Sequence, residues 1–337
     1  MNSFGKNFRV ELFGESHGPG VGVIIDGCPP GLALAPGDFD QDLKRRKSGA
    51  LGTTPRKETD KPEFLSGIYE GKSTGSPICA FFRNGDTKSK DYAQFYNVPR
   101  PGHADFTSRI KYGGYSDPRG SGHFSGRVTA GLVVAGTIAK KILIPAGFST
   151  YISIVGGRKD IEAVIEEALE SGDSLGAIVE IRICGLPAGL GEPFFDACES
   201  MIAHAIFAVP AVRGLEFGDG FRATEKRGSE HNDPFVDQSG KTSRNGSGGI
   251  NGGIANGNEM VFRVAVKPAS SISRPQETFD FSTGAMTTLE IEGRHDTCIA
   301  LRSAVVLESA AAIALADLYL TAKSGVPATR SELWRKP

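Results

Sequence analysis

Three stretches of the chain, 128–143, 194–207 and 304–320, are apolar around most of a helical circumference. A helix of that kind has no face to give to water and must be largely buried. In the last stretch, Ala304-Val305-Val306-Leu307 and Ala310-Ala311-Ala312-Ile313-Ala314-Leu315 leave Glu308 and Asp317 as the charged residues, with Ser303 placed to cap the start. Stretches 39–47 and 160–170 mix apolar and charged positions at helical spacing and predict surface helices. Runs rich in β-branched residues at 21–25, 76–82, 177–183, 260–266 and 286–291 predict strands. Strands come in clusters ahead of helices rather than in strict alternation, which predicts an α+β layered fold with buried apolar helices, not a doubly wound parallel sheet. The polar Gly/Ser/Asn stretch 239–258 is too long for an ordinary connection and predicts a functional loop inside a single domain spanning 1–337.

Composition narrows the function. The 38 Lys+Arg and 39 Asp+Glu leave a formal net charge of −1, so no global field draws in a nucleic acid. Glycine is over-represented, 44 of 337 residues, roughly twice the usual ~7%, with no collagen-like period. The opening residues do not read as a signal peptide, so export is not expected. The uncharged apolar run 128–139 is short of the ~20 residues that span a bilayer, so no membrane segment is expected. Five cysteines in no C-x-x-C pair point away from disulfides and zinc and toward a reducing cytoplasm.

The chemistry-bearing residues gather around glycines. His17 lies in Gly14-Glu15-Ser16-His17-Gly18, His103 in Arg100-Pro101-Gly102-His103-Ala104-Asp105, and His123 in Arg119-Gly120-Ser121-Gly122-His123-Phe124-Ser125-Gly126-Arg127, just before a buried helix. Glycine lets backbone approach a ligand, imidazole exchanges protons near neutral pH, and a helix start with nearby arginines suits an anion. A basic run, Lys44-Arg45-Arg46-Lys47 followed by Arg56 and Lys57, fits a small polyanion better than a polymer in a neutral chain. Gly248-Gly249-Ile250-Asn251-Gly252-Gly253 would cover a flat or bulky ligand, and Gly293-Arg294-His295-Asp296 closes the set. These residues describe an enzyme acting on a small, multiply anionic, phosphorylated molecule by general acid–base chemistry. By themselves they leave open a phosphatase or phosphotransferase with a histidine nucleophile, and a flavin- or nucleotide-binding module without turnover.

The same segments, with Ser247-Gly248-Gly249-Ile250-x-Gly252-Gly253 and Lys267-Pro268-x-Ser270-Ser271, occur together and in order from about residue 4 to 320, and the chain resembles the chorismate synthase family. That resemblance implies a flavin-dependent lyase that forms chorismate from 5-enolpyruvylshikimate 3-phosphate by anti 1,4-elimination of phosphate, using reduced FMN without net redox change. It implies helices sandwiched between antiparallel sheets, a homotetramer, and NADPH use only if the protein reduces its own flavin. It implies that His17 is the acid at the departing phosphate, that His103 protonates or stabilises the reduced flavin, and that Asp296 assists proton removal. Substrate contacts would come from Ser16, Arg45, Arg46, Arg127 and Arg294. FMN contacts would come from His123, Phe124, Ser125, Pro210, Ala211, Gly252, Lys267, Pro268, Ala269, Ser270, Ser271 and Arg294. The chain departs from many members in carrying His123 where they have Arg, and Thr297 where they have Pro.

Overall fold

The apolar windows 128–143 and 304–320 become helices buried over most of their surface, whereas the third, 194–207, is covered on one side only and leaves Phe194, Phe195 and Phe207 exposed. The computed structural model describes residues 2–54, 60–85, 89–291, 293 and 295–323; Arg56 and Arg294 lie outside the described residues. The first half runs β1 (Ser3–Phe4), β2 (Arg9–Gly14), β3 (Gly20–Asp26), α1 (Asp40–Arg46), β4 (Glu63–Ser66), β5 (Ile68–Tyr69), β6 (Lys72–Ser73), β7 (Ile78–Arg83), α2 (Asp105–Lys111), α3 (Thr129–Ile142) and β8 (Gly147–Val155). The second runs α4 (Ile161–Ser171), β9 (Ala177–Cys184), α5 (Cys198–Phe207), β10 (Val212–Phe217), α6 (Gly228–His231), β11 (Ile250–Asn251), β12 (Ile254–Ala255), β13 (Met260–Val266), β14 (Gln276–Asp280), β15 (Ala285–Leu289) and α7 (Ala300–Lys323).

Two antiparallel sheets enclose the two longest helices, α3 and α7. The five-stranded sheet has the order β1-β2-β3-β7-β4 and the four-stranded sheet β10-β13-β9-β8. Helix α3 packs on β2, β3 and β7, helix α7 packs on β8 and β9, and the helices pack on each other, giving the layers sheet, helices, sheet. The α+β layered expectation is met, because neither helix has a polar face and each sheet has one apolar face to cover it. Close approach of the helices rests on Gly136. A Cβ there would fall 2.2 Å from the Ser309 Cβ, so only glycine lets the backbones meet at this point.

Burying α7 also buries its charges, and each is answered. Asp317 accepts hydrogen bonds from the backbone N–H groups of Lys6, Asn7 and Phe8 at 2.6–3.0 Å, fastening the N-terminal segment to the helix. Glu308 pairs with Arg45 at 2.7 Å and with Lys140; although burial alone would raise its pKa, these two cations hold it at about 2. Residues 300–322 are long and apolar enough to cross a membrane, a length the 304–320 window understates, and most of that window is buried inside the fold. The helix begins at Ala300, so Ser303 lies within it rather than capping it.

Two other expectations change. Residues 194–196 form a separate 3₁₀ turn and α5 starts at Cys198, because Phe194 is left-handed at φ +64° and Ala197, at ψ 148°, is extended, which breaks the helix between them. The polar stretch 239–258 includes the β11–β12 hairpin, stitched down by Cys198 N–H to Gly253 O and Ala255 N–H to Leu190 O, both at 2.8 Å.

Candidate active site

A cavity of about 1020 Å³ opens where the start of α3, the first turns of α7, the end of α5, the 267–270 segment and the 102–104 loop converge. This is the size range of sites that enclose a cofactor or a drug-sized ligand. Leu132, Val306, Ala310 and Ile313 give it an apolar wall, while Arg46, Arg127, Lys267, Arg302, His103, His123, Asp60 and Asp296 bring the polar groups.

Helix α1 presents Arg45 and Arg46 about 100° apart, so the two cannot serve one surface. Arg46 turns inward and is buried. Its guanidinium donates to Asp60 Oδ2 at 3.0 Å, to Thr129 Oγ1 at 3.2 Å and to the carbonyls of Gly126 and Arg127. Arg45 does not line the cavity; it is taken up by Glu308 and, at 3.0 Å, by Asp42. Arg127, also buried, shares the other oxygen of Asp60. Burial alone would raise the Asp60 pKa, but Arg46 and Arg127 overcome it and keep the carboxyl ionised below the usual carboxylate range.

The 100–105 loop builds the second group. Buried Arg100 donates from Nε to Asp105 Oδ2 and from Nη2 to Asp105 Oδ1, both at 2.8 Å. His103 Nδ1 sits 2.7 Å from the same Oδ1. Desolvation opposes ionisation of Asp105, yet Arg100 and His103 hold its carboxyl far below the usual range. The 267–271 segment secures this loop. Lys267 donates to Gly102 O at 2.6 Å and to Ser270 Oγ at 3.0 Å, and Arg100 Nη1 donates to Ser271 Oγ at 3.0 Å. Burial and the nearby Arg213 lower the Lys267 pKa.

Ser16 and His17 are buried just behind this wall. The His17 ring meets Tyr92 edge-on at 5.1 Å, and Tyr92 itself lines the cavity. Gly120, at φ +59°, lies so close that a Cβ there would be 2.3 Å from the His17 ring. His123 lines the cavity with Nδ1 donating to Gly14 O at 2.9 Å; Phe124 and Ser125 flank it, and Ser125 Oγ accepts from the Arg127 N–H. Asp296 accepts from Thr54 N–H at 2.9 Å and from Arg302 at 3.0 Å. Its neighbour Thr297 donates a backbone bond to Gly52 O at 2.9 Å, which a proline at this position could not make. His295, on the other side of Asp296, has a buried Nε2 with no hydrogen-bond partner among the described residues, and burial lowers its pKa.

The structure thus brings His103, Asp296, Arg46, Arg127, His123, Phe124, Ser125, Pro210, Ala211, Lys267, Pro268, Ala269 and Ser270 to one cavity. Ser16, His17 and Ser271 stand behind its wall. Arg45 and Gly252 are elsewhere, Gly252 at the tip of the β11–β12 hairpin. Sequence reasoning overlooked Asp60, Arg302 and Tyr92, which carry no local signal. It quoted Arg100 and Asp105 without giving them a part, although an acid and a base flanking His103 in one hexapeptide could have signalled it.

A family model described as chorismate synthase matches residues 8–320. The chain is 56% identical over 322 residues to a chorismate synthase of Chitinophaga pinensis, with 95% of this chain and 97% of that protein covered. It is 47% identical over 353 residues to one from Dehalococcoides mccartyi, again with 95% and 97% covered. A solved structure titled "Crystal Structure of Chorismate Synthase" superposes with a TM-score of 0.72 at 26% identity, covering 96% of this chain and 94% of that one. The motifs, the helices held between antiparallel sheets and these similarities agree, and the chain belongs to the chorismate synthase family of carbon–oxygen lyases.

Proposed function

We propose that the 1020 Å³ cavity is where 5-enolpyruvylshikimate 3-phosphate loses phosphate by anti 1,4-elimination to give chorismate, with FMN as the flavin the family requires. The observation that carries this reading is the meeting, in one cavity, of His103, Asp296 and the Asp60-bridged pair Arg46 and Arg127. The cavity fits a flavin: an apolar wall suits a planar ring, and Lys267, Ser270, His123 and Ser125 offer polar contacts for its tail. When bound, reduced FMN supplies the electron density that assists C–O cleavage.

The chain's own residues do the rest. Arg46 and Arg127, held by Asp60, bind the substrate's anionic groups, a contact suited to guanidinium. For His17, which lies behind the wall against Tyr92 and Gly120, the role of acid toward the departing phosphate rests on the family resemblance. His103 holds a proton beside the flavin, and Asp296, steadied by Arg302 and Thr54, takes up the proton lost from the substrate. Arg294 would add to the substrate and flavin contacts. A flavin lying over the substrate would keep water from the reacting atoms. We further propose a cytoplasmic homotetramer in which exposed rings such as Phe195 and Phe221 find cover, and NADPH use only if the protein reduces its own flavin.

The test is an anaerobic assay with purified protein, substrate and chemically reduced FMN, following chorismate and phosphate together. Equal appearance of both only with reduced FMN is expected. Phosphate without chorismate would refute the reading. His17→Ala and His103→Ala should each lower turnover by ~10²-fold or more while the fold is kept. Sedimentation at the mass of one protomer would refute the tetramer.

A further inference from the structure

The hydrogen bonds around His103 decide which of its nitrogens can handle a proton. Arg100 Nη2 carries two N–H groups and has three neighbours in reach, Asp105 Oδ1 at 2.8 Å, Ser121 Oγ at 2.9 Å and His103 Nδ1 at 3.1 Å; its two hydrogens go to the two nearer oxygens. The contact of 2.7 Å between His103 Nδ1 and Asp105 Oδ1 therefore needs a proton of the imidazole's own, because a nitrogen lone pair facing a carboxylate oxygen would be repelled. Nδ1 is the N–H. On the other side of the ring, Nε2 lies 3.4 Å from Ser121 Oγ. That hydroxyl already accepts from Arg100, so its hydrogen is free to point at Nε2.

Ser121 occupies this place against its backbone preference. Its φ is +68°, in the left-handed region where a non-glycine residue is strained, between Gly120 and Gly122, which also have positive φ. Strain retained at a residue whose side chain touches a site histidine is a reason to look for a role.

We propose that Asp105 and Ser121 are positioning residues that lock His103 in the Nδ1–H tautomer, so that Nε2 is the atom that gives and takes the proton. Arg100 couples them, joining Asp105 and Ser121 through one nitrogen while its guanidinium stacks 4.4 Å from the Phe95 ring. The tautomer follows from geometry alone, whereas its use in turnover rests on the reading of His103 given above.

The test is ¹⁵N NMR of the full chain labelled at histidine, at a pH where His103 is neutral, with its signals identified by their loss in His103→Gln. The wild-type spectrum should show a protonated Nδ1 and a bare Nε2; a protonated Nε2 overturns the proposal. Asp105→Asn should populate the other tautomer and lower kcat by roughly 10²-fold with KM little changed, and Asp105→Glu should restore part of both. An unchanged tautomer and kcat in Asp105→Asn would refute Asp105's part. Ser121→Gly removes the hydroxyl and relieves the strained φ, so it should fold at least as stably as the parent yet turn over several-fold more slowly; unchanged turnover excludes a role for the hydroxyl. Normal turnover in His103→Gln would refute the assigned function of His103 while leaving the tautomer measurement intact, so the two failures are separable.

Discussion

Replacing Asp60 by Asn removes one negative charge from between two buried guanidinium groups and keeps the side chain's shape. The side chains of Arg46, Arg127 and Asp60 are 3%, 4% and 2% exposed, so solvent does not screen the loss. Breaking a buried pair by neutralising one partner costs about 3–5 kcal/mol, because the remaining charge stays desolvated. At roughly 2 °C of Tm per kcal/mol for a chain of this size, Asp60→Asn should melt about 6–10 °C below the parent. The two arginines should also lose their alignment and raise the substrate KM. The pH dependence has a definite sign. The folded pKa of Asp60 is depressed, so its contribution is present above the unfolded value of 3.8 and is lost as pH falls through the folded pKa; the variant should therefore show a shallower loss of stability below about pH 4. Thermal melts of both proteins across acid pH, with KM from the coupled phosphate and chorismate assay, make the comparison. An unchanged Tm together with an unchanged KM would refute the idea that Asp60 organises the arginines.

Glu308→Gln tests the second buried network: the parent should lose stability as pH falls from about 4.5 through about 2, and the variant, with Arg45 and Lys140 left to share Asp42, should start about 3 kcal/mol lower and lose less over that span, as denaturant melts would show. Gly136→Ala should cost at least ~1–3 kcal/mol, read by chemical denaturation, since its methyl group would meet Ser309 at 2.2 Å. FMN at about 100-fold over its Kd should stabilise the chain by ~2.7 kcal/mol, and replacing Lys267 by Ala should shrink the shift in Tm at the same flavin concentration.

The sequence by itself determined the layers and the chemistry. A helix with no polar face, as over 128–143 and 304–320, has one stable place, between two covering surfaces, and strands with one apolar face supply them. The glycine-flanked histidines and arginines were visible for the same local reason, since their meaning lies in residues adjacent along the chain. Only the tertiary structure decided which of those residues share a cavity. Arg45 and Arg46 are neighbours with the same charge, yet the 100° step of a helix sends one to Glu308 and the other to Asp60. Gly252 sits in a motif that reads as a ligand loop, yet backbone bonds to Leu190 and Cys198 fold that stretch into a hairpin away from the cavity. Asp60 and Arg302 have no motif at all, because each acts on partners that only folding brings within hydrogen-bonding distance: Asp60 on Arg127, 67 positions away, and Arg302 on Arg46 O, 256 positions away. Long-range pairing of buried charges depends on where the chain places both ends, and no window along the sequence holds that information.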